Sequence, residues 1–539
     1  MVKHLYKLLL FIQCLSSQPD ARFRAFDWVV YRGAGEINAL AEGHQFIYIA
    51  TSHGGLQRFN HHGETFEDPI TMAQGLKSNE ITATHFDPNS GILWVTTPNA
   101  IQYSFSQEGD WFSRDFEYYG LNRHDRITQI GSSQNFIWLR ANSSYVKISQ
   151  SSGTLIGIYP TPDELNISWS SGRYVWQPDL MEIFETYSVM DGWTIVGDDF
   201  IDPLGRRVQI KTGLLGNYNR IYVGGSDGTF FFAHRTMETF YPLSSGITNI
   251  GVTAMADDGD DFWLGSHDFI ASKGISLFNS YSTGVHTYLF DETINMTPMP
   301  VYSMFVDRKE AWVGGERKIL YYNKKKDFWR TLGEESGISG GTIWDIEGDE
   351  TYLWVGSNLG LSRINRETNR SEDVGIEHLF SQRPVFDIEI INEEVWIGTR
   401  SGIFIFNPEN PLVQNAEKIG RKDFPEFLHW ITSIEESDRD VYVAGNMGIA
   451  KFSPSEREWK LLFPAVVYHG KTIYSMAINQ NHIFLGTEDG LVRIHKNTGL
   501  LREYSFNFIG QVNDIILDGK TVWLGTSEGL IKFKWKRDL

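Results

Sequence analysis

Three short stretches of this 539-residue chain carry residue types used in catalysis or metal binding. Gly224-Gly-Ser226-Asp-Gly228 fits the Gly-x-Ser-x-Gly elbow of serine hydrolases. An elbow requires a helix straight after the serine, but the run Thr229-Phe-Phe-Phe232 reads as a strand, so a hairpin turn is expected. Asp257-Asp-Gly-Asp-Asp261 is acidic enough for calcium but lacks the spaced ligand pattern, and reads as a solvated turn. His61 and His62 stand beside Gly63 with no third ligand placed by spacing, and the zinc motif His-Glu-x-x-His is absent. Nor does the sequence contain a phosphate-cradling glycine loop or repeated Asp-boxes. Carboxylates are abundant, but nothing in their spacing brings two to the ~5–10 Å that glycoside cleavage needs. No catalytic residue, cofactor or metal is therefore assigned.

A different set of residues has the chemistry of recognition. In the second half, loops leading into predicted inner strands carry Trp344, Arg383, His429, Trp430, Tyr468 and His469. The turns expected to face them carry Arg317, Asn358, Arg400, Asn446 and Glu488. Rings, guanidinium groups and amides converging on a concave mouth would suit a sugar or peptide. The competing reading is that Trp344, Trp430 and Tyr468 fill space between sheets, where most aromatics of such proteins lie.

The elements that must position these residues follow from an internal repeat. An aromatic in a short apolar strand is followed by Gly-Thr or similar, a polar pair, Gly, and a second apolar strand. Clear copies are Trp396-Ile-Gly-Thr-Arg-Ser-Gly-Ile403, Phe484-Leu-Gly-Thr-Glu-Asp-Gly-Leu491 and Trp523-Leu-Gly-Thr-Ser-Glu-Gly-Leu530. Weaker copies start at Tyr48, Trp94, Trp138, Tyr222, Trp263, Trp312, Trp354 and Tyr442, and a degraded one is placed at Tyr174-Val-Trp176, giving twelve. Recurrence every ~40 residues is the size of a four-stranded propeller blade. The second glycine of each copy, such as Gly490 or Gly529, is expected to adopt a left-handed turn. Runs such as Ile81–Asp87 and Val512–Asp518 read as innermost strands, and Trp111, Trp193, Trp329 and Trp459 open outermost ones.

The expected fold is all-β, with tandem propellers of four-stranded blades. Taking the outer strand first places a cut near residue 280, so that 22–280 and 281–539 would each close a six-bladed ring. The alternative is seven blades plus five. Closure removes exposed sheet edges that would otherwise pair with other chains.

The element Trp-Ile-Gly-Thr-x-x-Gly-Leu, with Gly75-Leu-Lys-Ser-Asn-Glu-Ile81 before one copy, resembles the two-component-regulator propeller repeat. The resemblance covers nearly the whole chain after its N-terminal segment. It implies periplasmic ligand-sensor propellers, often recognising oligosaccharides, and related stand-alone secreted proteins, including a type IX secretion-associated component. Only nine residues follow Leu530, so no transmembrane helix, kinase or DNA-binding segment is expected after the repeats.

Composition sets the remaining limits. Aromatics make up 14% of the chain, with 17 Trp and 51 Gly, which suits sheets and tight turns. A net charge of −19 disfavours phosphate backbones, and the basic run Lys324–Lys326 reads as a turn, so no nucleic-acid partner is expected. Lys3 and Lys7 precede the apolar run Leu8–Leu15, which reads as a signal peptide over residues 1–17 and is too short to span a bilayer. The sole cysteine, Cys14, lies within it, which excludes disulfides from the exported chain. Together these point to a periplasmic or secreted, non-catalytic module binding an oligosaccharide, peptide or envelope protein, without membrane insertion. The alternatives are a scaffold or secretion component held by a protein partner, and a carbohydrate-active lyase or hydrolase.

Overall fold

The computed structural model describes residues 22–173, 178–267, 272–291, 293–338, 340–415 and 428–539. The proposed signal segment with Cys14 and the copy at Tyr174-Val-Trp176 lie outside the described residues. Eleven sheets of antiparallel strands dominate the chain. The eleven other repeat aromatics, from Tyr48 to Trp523, all sit in the second strand of a sheet and are at most 5% exposed. Each ring fills the space against a neighbouring blade: Trp396, for instance, packs with Phe452 and Trp459 of the next one. Large rings are favoured here because each buries ~150–250 Å².

The hairpin between second and third strands is tight. Thr487 pairs with Gly490 and Thr526 with Gly529, leaving two residues in each turn. The two glycines have φ of +143° and +134°, far from the helical left-handed well that the spacing suggested, in a region closed to side chains. A Cβ on Gly490 would lie 2.1 Å from the Tyr504 carbonyl oxygen. Inner strands appear as predicted at Ala83–Phe86 and Val512–Asp518. Trp329 and Trp459 lie in outer strands, Phe328–Leu332 and Glu458–Pro464, and Trp111 precedes Phe112–Asp115. Trp193 does not open an outer strand. It lies in an insertion between the strand Ser188–Val189 and a hairpin of Thr194–Val196 with Asp199–Ile201.

The chain divides into two compact units, Met1–Ile250 with Asn279–His286 and Lys534–Leu539, and Gly251–Phe278 with Thr287–Phe533. In the first, four sheets have inner strands Ile37–Glu42, Ala83–Phe86, Ile127–Ser132 and Arg207–Leu215. The short strand Ser168–Trp169 pairs along the inner side of Ile127–Ser132. Just after it, Ser171 Oγ accepts from Leu40 N–H and receives the Thr212 hydroxyl. His85 is fully buried, its two ring nitrogens on Ser170 and Ser132, and burial lowers its pKa to about 4.

The second unit groups its sheets differently from the six-and-six partition and in line with the larger ring of the seven-plus-five alternative. Its inner strands are Ala254–Asp258, Ser303–Val306, Ile343–Gly348, Val385–Ile391, Ser433–Ser437, Ile473–Ile478 and Val512–Asp518. Each neighbours the next, and the seventh neighbours the first, so the ring closes with seven blades rather than six. The repeat looks the same wherever the unit is cut, so periodicity could not show that the sheet beginning at Ala254 joins the later ones. Here the division falls at residue 250, not near 280.

Aspartates join adjacent inner strands across the ring. Asp345 accepts Ile388 N–H, Asp387 accepts Ile434 N–H and Asp514 accepts Met255 N–H, each at 2.7 Å. The last of these links the seventh blade to the first. Glu347, Glu389 and Glu435 follow two residues after the aspartate position on the same strands, and the carboxylates of several blades share one crowded interior. Burial, aided for most of them by like charge, pushes Asp345 and Asp514 up to about 6, Glu389 to about 7 and Glu347 to about 9, and raises Asp387 and Glu435.

Acids whose folded pKa is raised bind more protons folded than unfolded, so their contribution to stability is lost as pH rises through the folded values. Between pH 5 and pH 9 the melting temperature of the protein should therefore fall. Glu347→Gln should raise it at pH 8 and flatten the slope, measured by tryptophan fluorescence. A variant melting no higher than the parent at pH 8 would contradict this account.

Candidate functional site

The inner strands of the second unit begin with an irregularity that sets the geometry of one ring face. Register skips from Ile343 to Asp345, Val385 to Asp387, Ile473 to Ser475 and Val512 to Asp514. The skipped residues are Trp344, Phe386, Tyr474 and Asn513. A bulge turns one side chain out of the pleat, and three of these four bulges present rings at the strand starts. Tyr302 holds the matching position before Ser303–Val306. Tyr302 meets Trp344 edge-on at 5.3 Å, Trp344 meets Phe386 at 6.5 Å, and Phe386 stacks on Trp430 at 5.8 Å and 15°. Four rings from four successive blades thus form a crescent. Trp344 and Trp430 remain 38% and 45% exposed.

At one end of the crescent the fourth and fifth blades enclose a cleft of about 670 Å³ lined by Gln382, Arg383, Pro384, Thr399, Arg400, Ser401, His429, Trp430 and Asn446. Its walls are fixed by backbone. Trp430 N–H donates to the Arg400 carbonyl and Ile431 N–H to that of Thr399, tying the loop of one blade to the turn of the one before. Asn446 clamps the same loop, donating its N–H to the His429 carbonyl and accepting His429 N–H on Oδ1. Asn358 grips Thr342 in the same two-way fashion. Trp430 has φ +52°, a left-handed backbone that costs a bulky residue ~1–2 kcal/mol and holds its ring outward. The Arg400 guanidinium lies 4.6 Å from the Trp430 ring centroid, a cation–π contact. Among the described residues, the buried His429 Nδ1 has no hydrogen-bond partner.

Of the residues singled out from sequence, Arg383, Arg400, His429, Trp430 and Asn446 come together in this cleft. Trp344 joins them through Phe386. Arg317, in a left-handed turn with φ +60°, donates its N–H to the Gly341 carbonyl and stands with Asn358 at the junction of the second and third blades. His469 lies elsewhere and pairs with Glu503 at 3.2 Å, and Glu488 is exposed in the sixth-blade hairpin. Tyr468 is a correction. Its ring is 1% exposed among Ile473, Ile483 and Leu485, because the 3-10 turn Ala465–Tyr468 points it into the core. Sequence reasoning missed Tyr302, Phe386 and Tyr474. Their signal is an aliphatic–aromatic–Ser/Asp triplet opening the inner strand, as in Val385-Phe386-Asp387.

The other motifs resolve as turns. A strand, Thr229–His234, follows Ser226, whose hydroxyl accepts Gln209 N–H. Within the acidic turn, Asp258 binds Trp263 Nε1 and Lys324, the first residue of the basic run. His61 and His62 contact each other at 3.2 Å. Among the described residues no group of three His, Cys, Asp or Glu is placed to hold a metal. None of their helices is long and apolar enough to cross a membrane.

No family model matches the chain, and no curated protein does. Solved structures do resemble it. The extracellular domain of one hybrid two-component system from B. thetaiotaomicron is 14% identical, with TM-score 0.42, over 92% of this chain and 70% of its own. That of a second such system is 16% identical, with TM-score 0.42, over 91% and 73%. Virginiamycin B lyase from Staphylococcus aureus is 14% identical, with TM-score 0.42, over 52% and 94%. At these values the likenesses carry no weight for function, and the reading of the site rests on its own geometry.

The two tyrosine and tryptophan environments predict opposite costs. Tyr468→Ala should destabilise the protein by about 3–5 kcal/mol, as for other buried rings. Trp430→Ala, which removes an exposed ring, should cost under about 1 kcal/mol by urea unfolding. Equal losses would show that Trp430 serves packing after all.

Proposed function

We propose that this chain is an extracytoplasmic, non-catalytic recognition module whose second unit binds an oligosaccharide along the crescent Tyr302–Trp344–Phe386–Trp430. The observation that carries the proposal is the placement of four ring systems on four adjacent blades, two of the rings well exposed, beside a polar cleft. Burial elsewhere shows what the fold asks of its aromatics: the repeat rings are enclosed between blades. Rings exposed on bulges and on a left-handed backbone do not serve that purpose, and backbone outliers of this kind gather at ligand sites. Pyranose faces are apolar and flat, their rims polar. Shallow aromatic platforms with guanidinium, amide and hydroxyl groups at the edge match both features.

Ligand spread over four blades should be a chain of several sugar units rather than a monosaccharide. The signal-peptide pattern at residues 1–17 and the acidic composition fit a protein working outside the cytoplasm.

Titration calorimetry of the protein against tetramers and hexamers of soluble polysaccharides tests this. Trp430→Ala and Phe386→Ala should each weaken binding at least tenfold, about 1.4 kcal/mol, with melting temperatures unchanged. Affinity untouched in both folded variants would refute the crescent as the site.

A further inference from the structure

The cleft at the end of the crescent has a one-sided electrostatic character. Among the described residues its lining includes Arg383, Arg400 and His429 but no acid, in a chain with 67 Asp and Glu against 48 Lys and Arg. Among the described residues neither Arg383 nor Arg400 has a carboxylate partner. Other arginines of the same unit do: Arg366 contacts both Asp307 and Glu310, and Arg363 contacts Glu372. The acids carried by the fourth blade's inner strand, Asp387 and Glu389, are committed to the ring interior, where Asp387 holds Ile434 N–H.

We infer that the ligand is an acidic oligosaccharide whose uronate carboxylate is held by Arg383 and Arg400. This inference rests on the reading of the crescent as a sugar site. A guanidinium offers a planar fork of donors that matches a carboxylate, and such charge-assisted pairs are about twice as strong as neutral hydrogen bonds. Arg400 is already oriented by the Trp430 ring, so the end of the aromatic crescent carries a cation. A sugar lying on Trp430 would then direct its carboxylate at the guanidinium. The overall charge of −19 does not oppose this strongly, because at physiological salt charges beyond ~8 Å are screened while a contact pair is not.

Tetramers of galacturonate, of mannuronate and of hyaluronan, each beside its carboxyl-reduced form, provide the test by calorimetry. At least one acid form should bind ten times more tightly than its reduced counterpart. Arg383→Gln and Arg400→Gln should each erase that preference while leaving the melting temperature in place. Trp430→Ala should instead weaken both forms alike. Equal binding of acid and reduced forms would overturn the acidic assignment and leave the sugar site standing. Preference that survives both arginine variants would overturn the placement of the carboxylate. Silence of all three pairs would overturn the inference together with the sugar reading.

Discussion

The inner strand of every blade in the second unit has one edge with no neighbouring strand, and satisfying that edge is the constraint on which this unit depends. A buried N–H without a partner costs ~1–3 kcal/mol, and seven strands present such edges to one narrow interior. The structure answers with Asp345, Asp387 and Asp514, each accepting an amide of the next blade. These contacts do more than satisfy a donor. They fix the spacing of adjacent blades at the ring's centre, and the pair of Asp514 with Met255 joins residues 259 apart in sequence. The cost is electrostatic. Burial, reinforced for most of them by like charge, makes these carboxylates hold their protons more tightly, which is why the interior favours mild acid.

The same requirement shapes the ligand face. At three of the bulges the skipped residue directly precedes the bridging aspartate. The skipped side chain is then free of the ladder's alternation and turns outward. Where that residue is Trp344 or Phe386, the bulge supplies a ring to the crescent. At Asn513 it supplies an amide, which bonds the Val252 carbonyl instead. In the first unit the skipped residues are Asn38, Thr128 and Lys211, and no crescent forms. The architecture provides the positions, and residue choice decides which become a surface for recognition.

Much of this was legible in the sequence because propeller blades repeat. The aromatic, the two glycines and the following aliphatic residue recur in register, so strand order and the buried rings could be read from eleven copies. Ring size could not, since the repeat carries no mark of which blade neighbours which, and the sheet at Ala254 groups here with the later ones. The site was read in part for a similar reason. Loop positions located Arg383, Arg400, His429, Trp430 and Asn446, but one residue of backbone separates an exposed ring from a buried one. Trp430 and Tyr468 look alike in sequence, each an aromatic before an inner strand. A 3-10 turn sends the second into the core. Phe386 looked like an ordinary strand residue, because alternation alone cannot reveal a bulge.

What separates the crescent from incidental exposure is that stability alone would select against it. Trp430 accepts a strained backbone and keeps nearly half its surface in water, although an asparagine or glycine would hold the same turn at lower cost. Arg400 lies over that ring and, among the described residues, pairs with no carboxylate. His429 keeps a buried ring nitrogen without a partner among the described residues, where an apolar residue would incur no such cost. Each of these is individually small. Their concentration in one cleft, on a ring whose repeat aromatics are packed to near-complete burial, is what the proposed recognition role accounts for.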